Sequence, residues 1–317
     1  MGLSTVTLTL PCFHLSSNLH LPIISSKLQF PNRNCGSVRI VPVKPLLRSP
    51  IRSSFSLRAA YAMGSRSETE ILVSASEEEL AISLAEYTAN LSEKFIKERG
   101  AFSVVLSGGS LIKALRKLTE SPYLESVDWN KWHVFWADER VVPKDHVDSN
   151  YKLAYDGLLS KVPILPAHVC AINDSLSARD AAVDYESHLR QYTKTGVIDT
   201  SSTEEVAKFD LMLLGMGPDG HVASLFPGHP LVKEEGKWVT FIEDSPKPPP
   251  ERITLTFPVI NASANIALVA MGAGKADVVS RALGSGESSD PPLPVQMVSL
   301  KDGKLVWFAD KEATSKL

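Results

Sequence analysis

No aspartate or glutamate occurs before Glu68 in this 317-residue chain, yet the same stretch carries Lys27, Arg33, Arg39, Lys44, Arg48, Arg52, Arg58 and Arg66. An acid-free start rich in Ser, Thr, Pro and Arg has the composition of an import leader rather than of a packed core. Taking its 8 basic residues from the total of 33 leaves 25 against 36 acidic ones, so the net charge of −3 conceals a body of −11. Such a body gives no reason to expect a nucleic acid or a membrane surface as partner. A negatively charged ligand would have to be met by a local cluster of cations. Cysteine is scarce too. Cys12 and Cys35 fall in the leader and Cys170 stands alone after it, which excludes a disulfide framework and a thiolate metal site in the body. Within the apolar run 168–172, Cys170 reads as a small buried hydrophobe. No apolar stretch is long enough to span a bilayer, and no internal repeat or separating linker is visible.

These absences divide the chain into a transit peptide without structure of its own, 1–62, and a single α/β domain, 63–317. The early apolar run 8–15 is broken by Pro11 and His14 and lacks a charged lead-in, so it does not read as a secretory signal. Val6 stands where a myristoylation motif needs Ser or Thr. Residues 58–62 are a candidate processing zone, and the serine content favours the chloroplast stroma. The other end carries a second address. Ser315-Lys316-Leu317 is the tripeptide read by the peroxisomal import receptor, and Met63 offers a start that would omit the leader.

From about Glu70 onward, short apolar runs alternate with amphipathic ones. Strands are expected at 101–106, 133–136, 169–172, 209–214, 252–257, 265–271 and 305–308. Helices are expected at 111–118, 151–159, 178–192 and 275–283, the second with Ser149 and Asn150 as capping residues. The run 209–214 is almost continuously apolar, as befits a strand buried on both faces. This alternation implies a mostly parallel, Rossmann-like open sheet with helices on both faces.

Three turns carry chemistry. Ser107-Gly108-Gly109-Ser110 follows a strand and opens a helix, where glycines admit an anion close to unpaired N–H groups; an ordinary βα turn has the same spacing. Trp136-Ala-Asp-Glu-Arg140 lies at the C-terminal end of a strand, the edge where open α/β sheets bind ligands. There Arg140 could fork a phosphate and Asp138 or Glu139 could accept sugar hydroxyls, unless the three simply form a solvated cluster. The run 214–230, Leu-Gly-Met-Gly-Pro-Asp-Gly-His-Val-Ala-Ser-Leu-Phe-Pro-Gly-His-Pro, is the most informative. It contains Gly-x-Gly-x-x-Gly, but Pro218 interrupts the glycines and the nearest acids after the run, Glu234, Glu235 and Asp244, lie beyond a Pro-Gly-His-Pro turn, so the dinucleotide fingerprint is weak. Asp219 and His221, two residues apart on a tight turn, instead suit an oriented acid–base pair. His229, between Gly228 and Pro230, reads as a turn residue. Arg252 opens a strand and Lys275 follows Gly272-Ala-Gly, adding cations at further turns.

In their order along the chain, Ser107 to Ser110, Trp136 to Arg140, Asp148-Ser-Asn-Tyr151, residues 214–230, residues 252–257 and Gly272 to Lys275 resemble the 6-phosphogluconolactonases, which belong with the glucosamine-6-phosphate deaminase-like sugar isomerases. The resemblance spans roughly residues 70–309. The form Asp-Gly-His-x-Ala-Ser-Leu-Phe-Pro-Gly is that of the lactonase branch. One departure is visible: Leu111-Ile112 stand where that family often has Thr-Pro. The resemblance implies hydrolysis of 6-phospho-D-glucono-1,5-lactone to 6-phospho-D-gluconate, the second step of the oxidative pentose phosphate pathway. In that reading His221 is the general base and Asp219 its orienter. Ser107, Gly108, Gly109, Ser110, Asp138, Arg140, Arg252 and Lys275 hold the phosphorylated sugar. Neither cofactor nor metal is implied, and no obligatory protein partner. Two alternatives stay open on the residues alone: an amino-sugar-phosphate isomerase-deaminase, and a non-catalytic sugar-phosphate-binding protein.

Overall fold

A computed structural model of the chain describes residues 38–42, 69–202, 205–284 and 291–317, all within the unit Gly36–Leu317. The strands in chain order are β1 (Val38–Pro42), β2 (Thr69–Ser74), β3 (Phe102–Leu106), β4 (Trp132–Trp136), β5 (Asp138–Arg140) and β6 (Asp199–Thr200). They continue with β7 (Ala207–Lys208), β8 (Leu211–Gly215), β9 (Val239–Ile242), β10 (Arg252–Leu255), β11 (Asn265–Ala270) and β12 (Lys304–Asp310). The α-helices are α1 (Glu77–Arg99), α2 (Ser110–Ala114), α3 (Tyr123–Ser126), α4 (Asn150–Gly157), α5 (Ala178–Lys194), α6 (Phe257–Ala262) and α7 (Ala276–Leu283).

The main sheet has the order β1-β2-β12-β11-β8-β3-β4, and every neighbouring pair is parallel. Its inner strands are apolar at consecutive positions because both faces are covered. On β8, Leu211 and Leu213 join the cluster containing Leu80, Leu84 and Phe95 of α1, while Met212 and Leu214 join the cluster containing Ala181, Tyr185 and Leu189 of α5. The period-2 alternation of a strand thus sorts one sequence run into two cores. From β3 the chain moves outward to β4, whereas β8 and the later strands β11 and β12 lie on the other side of β3. The crevice above the C-terminal ends of β3 and β8 is therefore the switch point where such sheets bind ligands.

Several expectations are corrected. Residues 169–172 make no strand: Val169 forms one bridge to Val134, and the Cys170 amide donates to the Val134 carbonyl at 2.9 Å. Pro163 and Pro166 interrupt the amide ladder just before, so the segment only skirts the edge of β4. The strand begun by Arg252 lies outside the parallel sheet, in the antiparallel sheet β5-β10-β9. The helix expected at 111–118 divides into α2 and a 3-10 turn, Leu115–Thr119. Within the expected leader, β1 pairs in parallel with β2, extending the sheet edge past β2. The rest of 1–62 lies outside the described residues. Cys170 is buried, as expected of a small hydrophobe.

Candidate active site

The C-terminal end of β8 runs into the turn that carries His221. Gly217 is required there for close approach: a Cβ at this position would stand 2.0 Å from His221 Nδ1 and 2.3 Å from Asp219 Oδ1. The turn closes through Gly217 N–H donating to the His221 carbonyl at 2.9 Å, and Gly220 N–H to the Gly217 carbonyl at 3.0 Å. Just beyond, Ala223 holds a left-handed φ of 50°, a conformation that costs a non-glycine residue energy and marks the turn as constrained. The imidazole leans on the Phe226 ring with centroids 4.7 Å apart.

Asp219 Oδ1 lies 2.6 Å from His221 Nδ1, and the Lys247 ammonium donates to the same oxygen at 2.9 Å while standing 3.2 Å from Nδ1. Burial alone would raise the Asp219 pKa, but hydrogen bonds from Lys247 and His221 outweigh it and hold the carboxyl at about 2. An ionised carboxylate only accepts, so the short contact fixes the proton on Nδ1 and leaves the lone pair on Nε2. Burial lowers the His221 pKa; Asp219 opposes this and Lys247 adds to it. The result is a neutral imidazole whose basic nitrogen faces away from its orienter.

Lys247 escaped the sequence reading. It sits between prolines in Pro246-Lys-Pro-Pro-Pro250, and its backbone is clamped. Its carbonyl accepts from Ser245 Oγ at 2.8 Å and from Arg252 Nη2 at 2.8 Å, while Arg252 also donates to the carbonyls of Pro248 and Pro249. Arg252 is 2 % exposed, and Nη1 lies 3.4 Å from Ser224 Oγ and 4.0 Å from Asp138 Oδ2. Asp138, 6 % exposed, accepts from Ser224 Oγ at 2.7 Å. The structure thus turns Asp138 and Arg252 inward, where they fasten β5, the His221 turn and the Lys247 loop together. Both are expected from the sequence to hold the phosphorylated sugar; in the fold their contacts are to Ser224 and to the loop carbonyls. Glu139 is also buried and caps α4, accepting from the Asn150 and Tyr151 amides at 2.8 and 2.7 Å; burial raises its pKa to about 7.

The loop after β3 meets this assembly from the neighbouring strand, with Ser107 N–H donating to the Leu213 carbonyl at 3.1 Å. Gly108 packs against Asn150, whose Oδ1 would lie 1.9 Å from any Cβ there. Asn150 in turn donates to the Asp138 carbonyl at 2.9 Å. The Ser107 hydroxyl is buried without a hydrogen-bond partner, a group for which a ligand could supply one. Ser110 opens α2 and is exposed. Arg140 faces Arg252 across the β5–β10 ladder and donates to the Asp148 carbonyl at 2.8 Å, leaving its Nε buried and unpartnered. Lys275, at the start of α7, donates to the Met216 carbonyl at 2.7 Å, and burial lowers its pKa. Its turn is held by Asp310, which accepts from the Gly272 amide. His229 caps a 3-10 turn and bonds Asp244, as a turn residue should. Among the described residues, no group of three or more His, Cys, Asp or Glu could hold a metal ion, and no helix is long and apolar enough to cross a membrane.

A family model described as glucosamine-6-phosphate isomerases/6-phosphogluconolactonase matches residues 75–307. A rice protein named "Probable 6-phosphogluconolactonase 4, chloroplastic" is 62% identical over 275 residues, 87% of this chain and 85% of that one. An Arabidopsis thaliana protein named "6-phosphogluconolactonase 3, chloroplastic" is 53% identical over 314 residues, 96% and 95% of the two chains. Among solved structures, the 6-phosphogluconolactonase of Thermotoga maritima superposes with a TM-score of 0.64 at 32% identity, covering 77% of this chain and all of the other.

Proposed function

The chain belongs to the family of glucosamine-6-phosphate isomerases and 6-phosphogluconolactonases, and from that premise we infer how its site does its chemistry. The chain hydrolyses 6-phospho-D-glucono-1,5-lactone to 6-phospho-D-gluconate, a step of the oxidative pentose phosphate pathway. The observation that carries the mechanism is the 2.6 Å contact between Asp219 and His221 Nδ1. With that nitrogen committed, Nε2 takes a proton from water as the water oxygen attacks the lactone carbonyl. Collapse of the tetrahedral adduct breaks the bond from C1 to the ring oxygen, and the imidazolium returns its proton to that oxygen. Asp219 stays ionised throughout and holds the ring's orientation.

We assign the phosphate to the 107–110 loop, Arg140 and Lys275, a reading supported by the unpartnered Ser107 hydroxyl and Arg140 Nε. Anchoring that end places C1 over the imidazole, so binding energy remote from the reacting bond is used for orientation. Asp138 and Arg252 act through the network that fixes His221 and Lys247. We take 63–317 as one catalytic domain behind a leader of about residues 1–62, of which Val38–Pro42 lies along the sheet edge in the full chain. Its site of work is the plastid, as the chloroplastic names of its relatives support. Ser315-Lys316-Leu317 supports a second, peroxisomal destination. The test is a coupled assay of 6-phosphogluconate formation by residues 63–317, with spontaneous lactone hydrolysis subtracted. Acceleration over background is the expected result; ammonia release from glucosamine 6-phosphate with no lactonase activity would overturn it.

A further inference from the structure

Lys247, from the proline loop, contacts both members of the acid–base pair. Its ammonium lies 2.9 Å from Asp219 Oδ1 and 3.2 Å from His221 Nδ1. The loop that presents it is built for rigidity. Prolines stand at 246, 248, 249 and 250, the Lys247 amide and carbonyl both bond Ser245 Oγ, and the buried Arg252 gathers three successive carbonyls. A lysine left free to swing would spend its rotamer freedom elsewhere; this one has its backbone fixed at both ends. We propose that Lys247 is a positioning residue that sets the pH range of the reaction, by pinning the Asp219 carboxylate against Nδ1 and by opposing protonation of the His221 ring.

The electrostatics follow from the charges that face the imidazole. Asp219 comes from its own turn and Asp138 from β5, and both favour the imidazolium. Lys247 comes from the proline loop and disfavours it, while Lys275 beyond it interacts with both Lys247 and Asp219. Without Lys247, burial alone would oppose the pull of the two carboxylates on the ring. The ring would then hold its proton to higher pH, and a base that is already protonated cannot take one from water. The cation acts through partly exposed groups, so its effect is moderate.

This inference rests on the reading of His221 as the base, and the experiment separates the two. The enzyme is assayed across pH as wild type, Lys247→Met and Lys247→Arg, and the His221 ring is titrated by NMR in the wild type and the Met variant. The expected result is that Lys247→Met moves the acid limb of kcat/KM upward by on the order of one pH unit. The His221 ring titration moves with it, and Lys247→Arg restores most of the wild-type profile. A purely structural loop residue would lower activity equally at every pH and leave the ring titration in place. A ligand for the substrate phosphate would raise KM with the acid limb unmoved. Either outcome overturns the proposal. A wild-type acid limb that does not track the His221 titration would instead count against the base assignment itself.

Discussion

Gly217→Ala isolates the geometry of the catalytic pair from the stability of the fold. The added methyl would stand 2.0 Å from His221 Nδ1, 2.2 Å from Cε1 and 2.3 Å from Asp219 Oδ1. Ordinary contact begins near 3.4 Å, so the imidazole and carboxylate must retreat by about 1.4 and 1.1 Å. Gly217 is not among the glycines with positive φ, so alanine meets no backbone strain there. A displacement of about 1 Å in a reacting group costs roughly 100-fold in rate, or close to 3 kcal/mol of transition-state stabilisation. Retention of the phosphate anchors keeps KM near its wild-type value. The assay is steady-state lactone hydrolysis with background subtraction, beside a thermal melt that should move by no more than a few degrees. An alanine variant with wild-type kcat and an unchanged melt would refute the claim that the pair's placement governs the rate.

Other perturbations separate binding, protonation and bracing. Loss of kcat/KM toward acid should have its midpoint below the ordinary histidine value of about 6.5, because burial lowers the His221 pKa and only the neutral ring is active; a pH–rate profile with its midpoint above 7 would contradict this. Asp219, held at about 2, adds no second limb in the accessible range. If Lys275 grips the phosphate as proposed, Lys275→Ala should raise KM several-fold with a smaller effect on kcat, and initial-rate kinetics at varied lactone concentration decide it. Arg252→Met should destabilise the domain by about 3 kcal/mol, because it removes the cation beside the buried Asp138 carboxylate and leaves the Pro248 and Pro249 carbonyls without their donor. That corresponds to a fall in melting temperature of roughly 6–12 °C, read by calorimetry.

The sequence made legible those parts of the molecule that local pattern decides. Ser149 caps α4 as read, accepting from the Lys152 amide, and the apolar run 209–214 supplies all but the last residue of the doubly covered β8. Asp219 and His221 were recognisable as a pair because two residues on a glycine turn can meet without help from the rest of the fold. Partners brought together by tertiary structure were not. Lys247 reaches its carboxylate across 28 positions, from a proline run that reads as a spacer; the only local signal was a cation wedged among prolines. Asp138 and Arg252 read as ligands because they stand at strand ends, where open α/β sheets bind them. Here both belong to the small antiparallel sheet and are buried, Asp138 bonding Ser224 and Arg252 bonding the loop carbonyls. The run 169–172 has strand composition, yet its preceding prolines keep it off the ladder. Helix α1 buries Leu80, Leu84 and Phe95, but Thr88 and Ser92 interrupt the stripe between them, which weakens its apolar periodicity in sequence although Ser76 and Gly100 cap it cleanly.

The central claim is that His221 Nε2 removes the proton from the attacking water, and one number tests it most directly. kcat for His221→Ala on 6-phospho-D-glucono-1,5-lactone, corrected for spontaneous hydrolysis, should fall by about 100- to 10,000-fold with KM little changed, the range for loss of a positioned general base. A His221→Ala enzyme that turns over within a few-fold of wild type would contradict the account.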